Sequence, residues 1–512
     1  MDRRDFIKSV PLGALGGISG CAATADQTSG AQVENASVEA ASFLHGVASG
    51  DPLSDRIILW TRVTPPGRDP EPILVDWWIG PSDDPSSAVH TGRVLAQGDR
   101  DFTVKVDAQG LQPGRTYYYG FQAGEQDSPI GRTRTLPLVD VNAVRLAVTS
   151  CANHPQGYFN AYRAIAETEE LDVVLSLGDY LYEYANEAYG DGSALDRVPE
   201  PNREIVSLAD YRMRHAQYKR DPDLQAAHAA HPWIVVWDDH ESTNNAWTGG
   251  AQNHNPETGE GTWWARRNHA IKAYYEWMPI RSVPTGLFRT FRFGQLADLV
   301  MLDTRLEGRD EQGAGDDFET ANRADRTLLG PAQEHRFLNH LTVTQQAAVR
   351  WKLVGQQVAF APWSDADAPF NADSWSGYRQ SRRNVLSHIA DHAIDNVVIL
   401  SGDVHSSWGL EVPDDARQHN RAIELITPAV SSPPLTSRSK AMEDLMAQAI
   451  SDQAHIKFAD GQHNGYLVVT LRADSARADW FFTGERTLKS DPWLGQSMGC
   501  NAGTNRLSEL AR

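Results

Sequence analysis

Leu171-Asp172-Val173-Val174-Leu175-Ser176-Leu177-Gly178-Asp179-Tyr180-Leu181-Tyr182 decides the reading of this chain. A short apolar run, rich in Val and Leu, reads as a buried strand. It ends in a glycine, a carboxylate and a phenol. Three other runs also end in metal-ligand chemistry. Val144–Ser150 leads into Cys151, Ile234–Trp237 into Asp238-Asp239-His240-Glu241, and Val397–Leu400 into Ser401-Gly402-Asp403-Val404-His405. In open α/β sheets, ligands bind just beyond the carboxyl ends of the strands. A thiol, carboxylates, a phenol and imidazoles delivered there converge on one spot, which is how a two-metal hydrolytic site is assembled.

The rest of the chain sets bounds on that reading. Its 512 residues suggest roughly two to four domains. The formal charge of −20 argues against nucleic acid as a partner. It also repels phosphate, so a phosphate-handling site needs local positive charge from metal ions and a few arginines. No run reaches the ~18 apolar residues of a membrane-spanning helix. Arg3-Arg4-Asp5-Phe6-Ile7-Lys8, followed by a mild apolar stretch, resembles a twin-arginine export signal and is excluded from the fold. Ile18-Ser19-Gly20-Cys21 resembles a lipobox, which makes Cys21 an expected lipid anchor and the product an exported, periplasmic or extracellular protein, tethered if the anchor forms. Cys151 and Cys500 are the other two cysteines, too few for a disulfide framework. A single 151–500 disulfide is the alternative to a thiolate ligand at Cys151.

Three segments follow: residues 1–43 as signal and tether, 44–137 as a small β-sandwich, and 138–512 as the catalytic domain. In the second, Ile57–Arg62, Leu74–Ile79, Phe102–Val106 and Thr116–Phe121 read as strands between Gly/Pro turns. Leu111-Gln112-Pro113-Gly114-Arg115-Thr116-Tyr117-Tyr118-Tyr119 resembles the tyrosine corner of fibronectin-type sandwiches, where a phenol bonds back to the backbone. Thr135-Leu136-Pro137 reads as the linker. Strands then alternate with helices, as in an α/β domain. The expected helices include Tyr158–Glu170, Leu208–Tyr218, Trp263–Trp277 and Thr344–Gln356. Residues 308–326 and 431–460 read as surface insertions, and Leu467–Leu471 and Ala478–Thr483 as late strands.

The motifs carry the chemistry. Asp179 after a strand-ending Gly178 suits a carboxylate that bridges two metals. Tyr182, three residues on, can reach the same metal, with Tyr180 and Tyr184 as competitors. Phenolate and thiolate are good ligands for Fe(III). In Trp237-Asp238-Asp239-His240-Glu241, Asp239 stands where ordinary metallophosphatases carry a ligating Asn, and His240 where they carry the His that aids leaving-group protonation. Asn244 and Asn245 are the alternative amide ligands. Asp403 and His405 share one face of an extended strand end. Asp403 replaces a His and so favours a hard cation such as Ca²⁺, Mg²⁺ or Mn²⁺. In Leu302-Asp303-Thr304-Arg305, Arg305 offers a bidentate fork for phosphate and Asp303 a group to orient a ligand or accept a proton. A buried Asp–Arg ion pair is the competing reading. No Gly-x-Ser-x-Gly elbow surrounds Ser406-Ser407, which disfavours a serine hydrolase.

With His45-Gly46-Val47-Ala48-Ser49-Gly50-Asp51-Pro52, Trp60-Thr61-Arg62 and Ser150-Cys151, these motifs resemble the alkaline phosphatase D (PhoD-like) family of the metallophosphatase superfamily over nearly the whole chain. The resemblance implies an α/β (α+β) fold: a metallophosphatase-like αββα sandwich preceded by a small fibronectin-like β-sandwich. It implies a phosphoric-ester hydrolase acting outside the cytoplasm on phosphate mono- or diesters through a metal-activated water. It also implies Fe(III) held by Cys151, Asp179, Tyr182 and His405. One or two Ca²⁺ would sit near Asp179, Asn244 and Asp403, with other divalent metals as substitutes at the second site. Asp239 is a further metal-site residue, and His240, Asp303 and Arg305 are the expected catalytic residues. Expected partners are small-molecule or lipid phosphate esters and the twin-arginine export machinery. The alternatives are a phospholipase D-type phosphodiesterase and a tethered, non-catalytic metal- or phosphate-binding protein.

Overall fold

The computed structural model describes residues 41–67, 71–139, 141–364 and 371–511. The export signal and Cys21 lie outside the described residues. Among the described residues no helix is long and apolar enough to cross a membrane.

Two large sheets build the frame. The first has ten strands and contains Val144–Thr149, Val173–Ser176 and Pro232–Val235 side by side and parallel. The second has seven strands, with Ala297–Met301, Trp351–Gly355, Val397–Ser401 and Asn420–Ile426 parallel at its centre. The reason these segments form central strands is visible in their side chains. Alternate residues point to opposite faces of a strand. In the second sheet both faces are covered, so the strands need no polar face and read as unbroken apolar runs. Leu299, Leu353, Val398 and Leu400 enter the core between the two sheets. Val300, Val354, Val397 and Ile399 enter a separate core beneath Gly330–Gln346 and Arg379–Asp391. On the outer side of the first sheet, Asn160–Ala166 and Pro222–Ala230 contribute Tyr162, Ile165, Leu224 and Ala227. The result is the expected αββα arrangement. Each such side chain contributes about 1.5–3 kcal/mol when fully buried, and Leu353→Ala would cost about 2–5 kcal/mol.

Strands Val47–Gly50, Arg56–Arg62 and Thr103–Gln109 join the end of the ten-stranded sheet. Ser49 and Gly50 pair in parallel with Pro232 and Trp233. A five-stranded sheet that includes Ile73–Gly80 and Thr116–Ala123 packs over them around Val47, Leu59, Val75, Ile79 and Tyr119. The N-terminal sandwich thus shares a sheet with the rest of the molecule. Its tyrosine corner forms, with the Tyr117 hydroxyl accepting from the Gln112 N–H at 2.9 Å.

Trp263–Trp277 is helical over its whole expected length. Thr344–Gln356 is not one helix. A helix ends at Gln346 and a strand begins at Trp351. The break falls at Ala348, whose φ of 55° lies in the left-handed region. Residues 431–460 hold the helix Lys440–Asp452 and the strand Ile456–Asp460. Cys151 and Cys500 are both buried and free, so the disulfide alternative is not realised.

Candidate metal centre

Four strand ends deliver the donor groups, and the turns after them are unusual. Cys151, Asp179, Asp403 and His405 all have positive φ, between 52° and 64°. Each such residue costs on the order of 1–3 kcal/mol unless its surroundings over-determine it. Those surroundings are present. Cys151 N–H donates to Gly178 O at 3.3 Å and Ala152 N–H to Asp179 O at 2.8 Å, which ties the first turn to the second. Glu241 accepts from the N–H groups of Asp179, Tyr180 and Asp238 at 3.0, 2.7 and 2.8 Å, which ties the second to the third. Gly178 permits this approach, because a Cβ there would lie 2.3 Å from Asp238 N. Gly402 does the same for the fourth turn, where a Cβ would lie 2.8 Å from Ser150 Cβ.

The donors fall into three overlapping groups, each with its ligand atoms within 4.8 Å of one another. They are Cys151–Asp179–His405, Asp179–Asp239–His240 and Asp238–Asp239–Asp403. The Tyr182 hydroxyl completes the first, donating to Asp179 Oδ2 at 2.9 Å and lying 3.2 Å from His405 Nε2. Ser432 Oγ donates to that phenol at 2.8 Å. The first group is rich in strongly donating ligands, whereas the third is all oxygen and suits a hard cation. Asp179 belongs to both of the first two groups, as a bridging ligand must.

These residues fit a metal centre. Asp179 Oδ1, Asp238 Oδ2 and Asp239 Oδ1 are buried without a hydrogen-bond partner among the described residues. An unsatisfied buried polar group is costly, and a carboxylate oxygen more so. Burial pushes the Cys151 thiol, the Tyr182 phenol and the Asp179 and Asp403 carboxyls well above their ordinary ranges. Asp238 is pushed up to about 6 by burial, against the pull of Arg305. Asp239 goes the other way, to about 2, because Arg305 and His240 outweigh its burial. Packing this much acid into a buried space makes physical sense when cations share it.

His240 is set apart by Glu183. Burial alone would lower the imidazole's pKa, but the Glu183, Asp239 and Asp179 carboxylates, Glu183 foremost, together outweigh it and hold His240 well above the ordinary histidine range. Glu183 Oε2 lies 2.7 Å from His240 Nδ1. Its Oε1 accepts from Thr243 Oγ1 at 3.2 Å and from Asn244 N–H at 2.8 Å. Tyr182, Tyr184 and Tyr189 surround the His240 ring, with centroids 4.2, 5.5 and 6.4 Å away.

The structure brings Cys151, Asp179, Tyr182, Asp239, His240, Asp403 and His405 together. Asn244 and Asn245 stand beside them. Both side-chain amides donate to Gln252 Oε1, at 3.1 and 2.6 Å, which leaves each amide oxygen as the remaining polar atom. Asp303 joins none of the donor groups. Its Oδ1 accepts from the N–H groups of Arg305 and Leu306 at 2.9 and 2.8 Å, shaping its own turn. Arg305 is fully buried and caged by carboxylates. It pairs with Asp238, with Asp373 at 2.8 Å, with Asp403 at 3.3 Å and with Asp239 at 3.6 Å. The ion-pair reading of Arg305 therefore applies, with partners other than Asp303. Sequence reasoning missed Asp238 as a donor and Glu183, Glu241 and Asp373 as supports. Asp238 and Glu241 stood in a motif already singled out, and Glu183 directly follows Tyr182.

Residues 146–480 match the PhoD-like phosphatase family, and residues 27–137 match the N-terminal domain of PhoD-like phosphatases. Alkaline phosphatase D of Bacillus subtilis (strain 168) is 37% identical over 506 residues, covering 94% of this chain and 84% of that protein. A solved structure described as PhoD superposes with a TM-score of 0.84 at 33% identity, covering 94% of each chain. The chain belongs to the PhoD-like phosphatase family and is a hydrolase of phosphoric esters.

Proposed function

We propose that this protein is an exported, metal-dependent phosphoesterase that hydrolyses phosphate mono- and diesters. The observation that carries the metal dependence is the convergence of four strand ends on a buried donor set in which one oxygen each of Asp179, Asp238 and Asp239 has no hydrogen-bond partner among the described residues. Fe(III) suits Cys151, Asp179, Tyr182 and His405. Ca²⁺ or another hard divalent cation suits Asp238, Asp239 and Asp403, with Asn244 at hand. When bound, such metals supply Lewis acidity toward phosphoryl oxygens and an acidic water as nucleophile.

The chain's own residues do the rest. Asp179 belongs to two of the donor groups and would be shared between the ions they hold. Glu241 holds the turns that carry Asp179 and Asp238 at a fixed separation. Arg305 keeps Asp238, Asp239 and Asp403 in register and offsets their mutual repulsion. His240, charged through Glu183, is the group able to hand a proton to a departing alkoxide. The twin-arginine start and the Cys21 lipobox support export and tethering. A phospholipase D-type diesterase is the narrower alternative, and a tethered non-catalytic binding protein the other.

Rates on p-nitrophenyl phosphate and bis-p-nitrophenyl phosphate, before and after chelation, test this reading. Turnover that falls with chelation and returns with iron and calcium supports it. Bound metal without turnover of either ester favours the binding protein. Predominant diester turnover favours the diesterase.

A further inference from the structure

Arg438 stands at the mouth of the metal centre, exposed, on the segment that follows Ser432. Among the described residues its guanidinium forms no ion pair with a carboxylate, although the chain carries a net charge of −20. Its contacts are unusual. One guanidinium nitrogen lies 2.5 Å from His405 Nδ1 and 3.3 Å from the Tyr189 hydroxyl. The same Nδ1 lies 3.1 Å from the Pro433 carbonyl. His405 Nε2 faces Tyr182 and the first donor group. With His405 Nδ1 and the Tyr189 hydroxyl as its neighbours, a cation with five N–H donors has donors to spare beside the centre.

The position of Tyr189 says what it would hold. Its ring stacks on His240 at 6.4 Å with planes 13° apart, and on Tyr182 at 5.9 Å with planes 28° apart. Asn153 Nδ2 and Gln156 Nε2 donate to the Tyr189 carbonyl at 3.1 and 3.0 Å, which fixes the loop. Arg438 therefore reaches the aromatic wall over His240, the side from which a leaving group departs. It is also set off from the metal-facing nitrogen of His405 by the width of the ring. We propose that Arg438 and Tyr189 form a specificity subsite for a second anionic group on the leaving-group arm of the substrate. The preferred substrates are then phosphate esters whose alcohol carries a carboxylate or a further phosphate close to the ester oxygen. This rests on the phosphoesterase reading for its use of the site.

The test uses binding, so it does not depend on turnover. Calorimetry on the metal-loaded protein compares ethylphosphonate with phosphonoacetate, which differ by a carboxylate near the phosphorus. The wild type should prefer phosphonoacetate by about tenfold, the scale of one charge-assisted contact. Arg438→Ala should bring the ratio near one, and Arg438→Lys should restore part of it. Three results overturn the proposal: no preference or no binding in the wild type, an undiminished preference in Arg438→Ala, or a loss of bound metal in that variant. The last would make Arg438 a support for His405. An Arg438-dependent preference in a protein that hydrolyses neither p-nitrophenyl ester would overturn the hydrolase reading and leave the subsite standing.

Discussion

Glu183 Oε2 lies 2.7 Å from His240 Nδ1, and the Glu183 side chain is completely buried. A buried carboxylate behind an imidazole fixes its tautomer and its orientation and stabilises its charged form. His240 is thereby poised to donate through Nε2 toward the donor groups it shares with Asp179 and Asp239. Glu183→Gln keeps the shape and removes the charge. We expect kcat to fall about a hundredfold, within the usual range for general acid catalysis, with metal content unchanged. The loss should be smaller for p-nitrophenyl esters, whose leaving group needs little protonation, than for alkyl esters. Equal losses on both would remove His240 from the proton-donor role.

Glu241 predicts a stability effect rather than a chemical one. Its carboxylate takes three backbone N–H groups from two turns. Glu241→Ala leaves all three without their partner, at about 1–3 kcal/mol each. We expect a thermal midpoint lower by several degrees and weaker metal retention. Unchanged stability would mean that the turns hold without this brace.

Arg305 is the cation shared by Asp238, Asp239, Asp373 and Asp403, and Arg309 pairs with Asp373 as well. Replacing it with Met leaves buried carboxylates facing one another, a change that costs about 3–5 kcal/mol. Added Ca²⁺ should recover part of that stability in Arg305→Met, measured by thermal unfolding across a calcium series. A variant as stable as the parent, with no response to calcium, would contradict the cage.

Three buried histidines outside the donor groups contribute to the acid response of the fold. Burial lowers His45 to about 3, His215 to about 3 and His231 to about 4. Between pH 6.5 and about 4 the unfolded chain takes up protons that the folded chain refuses. Stability contributed by these groups is therefore complete above pH 6.5 and is lost as the pH falls through that window. The denaturant midpoint of His231→Asn should fall less than the parent's between pH 7 and pH 4.5. The same pH slope in parent and variant would contradict this.

Much of this was legible in the sequence, for definite reasons. Val173–Ser176 and Val397–Ser401 are buried on both faces, so their strands appear as plain apolar runs. The residues that follow them carry donor groups. Trp263–Trp277 is long enough for its period to declare itself. The failures have physical causes too. The helix ending at Gln346 stops with Ala348 in a left-handed conformation that glycine normally fills, so no turn signal marks the boundary before Trp351. The parallel pairing of Ser49 with Pro232 joins segments far apart in the chain, and nothing local announces it. Asp373 reaches the site from the segment before Trp375 and Arg438 from the 431–460 insertion, and the local sequence of neither gives a hint of where it packs. Arg305 was readable as a charged residue at a strand end, but the four carboxylates around it come from three other turns.

The central claim is that Asp179 and its neighbours hold metal, and elemental analysis of the purified, folded protein tests it most directly. The account predicts iron together with calcium or another divalent cation in the wild type. It predicts loss of both metal and phosphoesterase activity in Asp179→Ala, with the fold retained by circular dichroism. A folded wild-type protein that hydrolyses phosphate esters with no metal bound would contradict it, as would an Asp179→Ala variant that keeps its full complement.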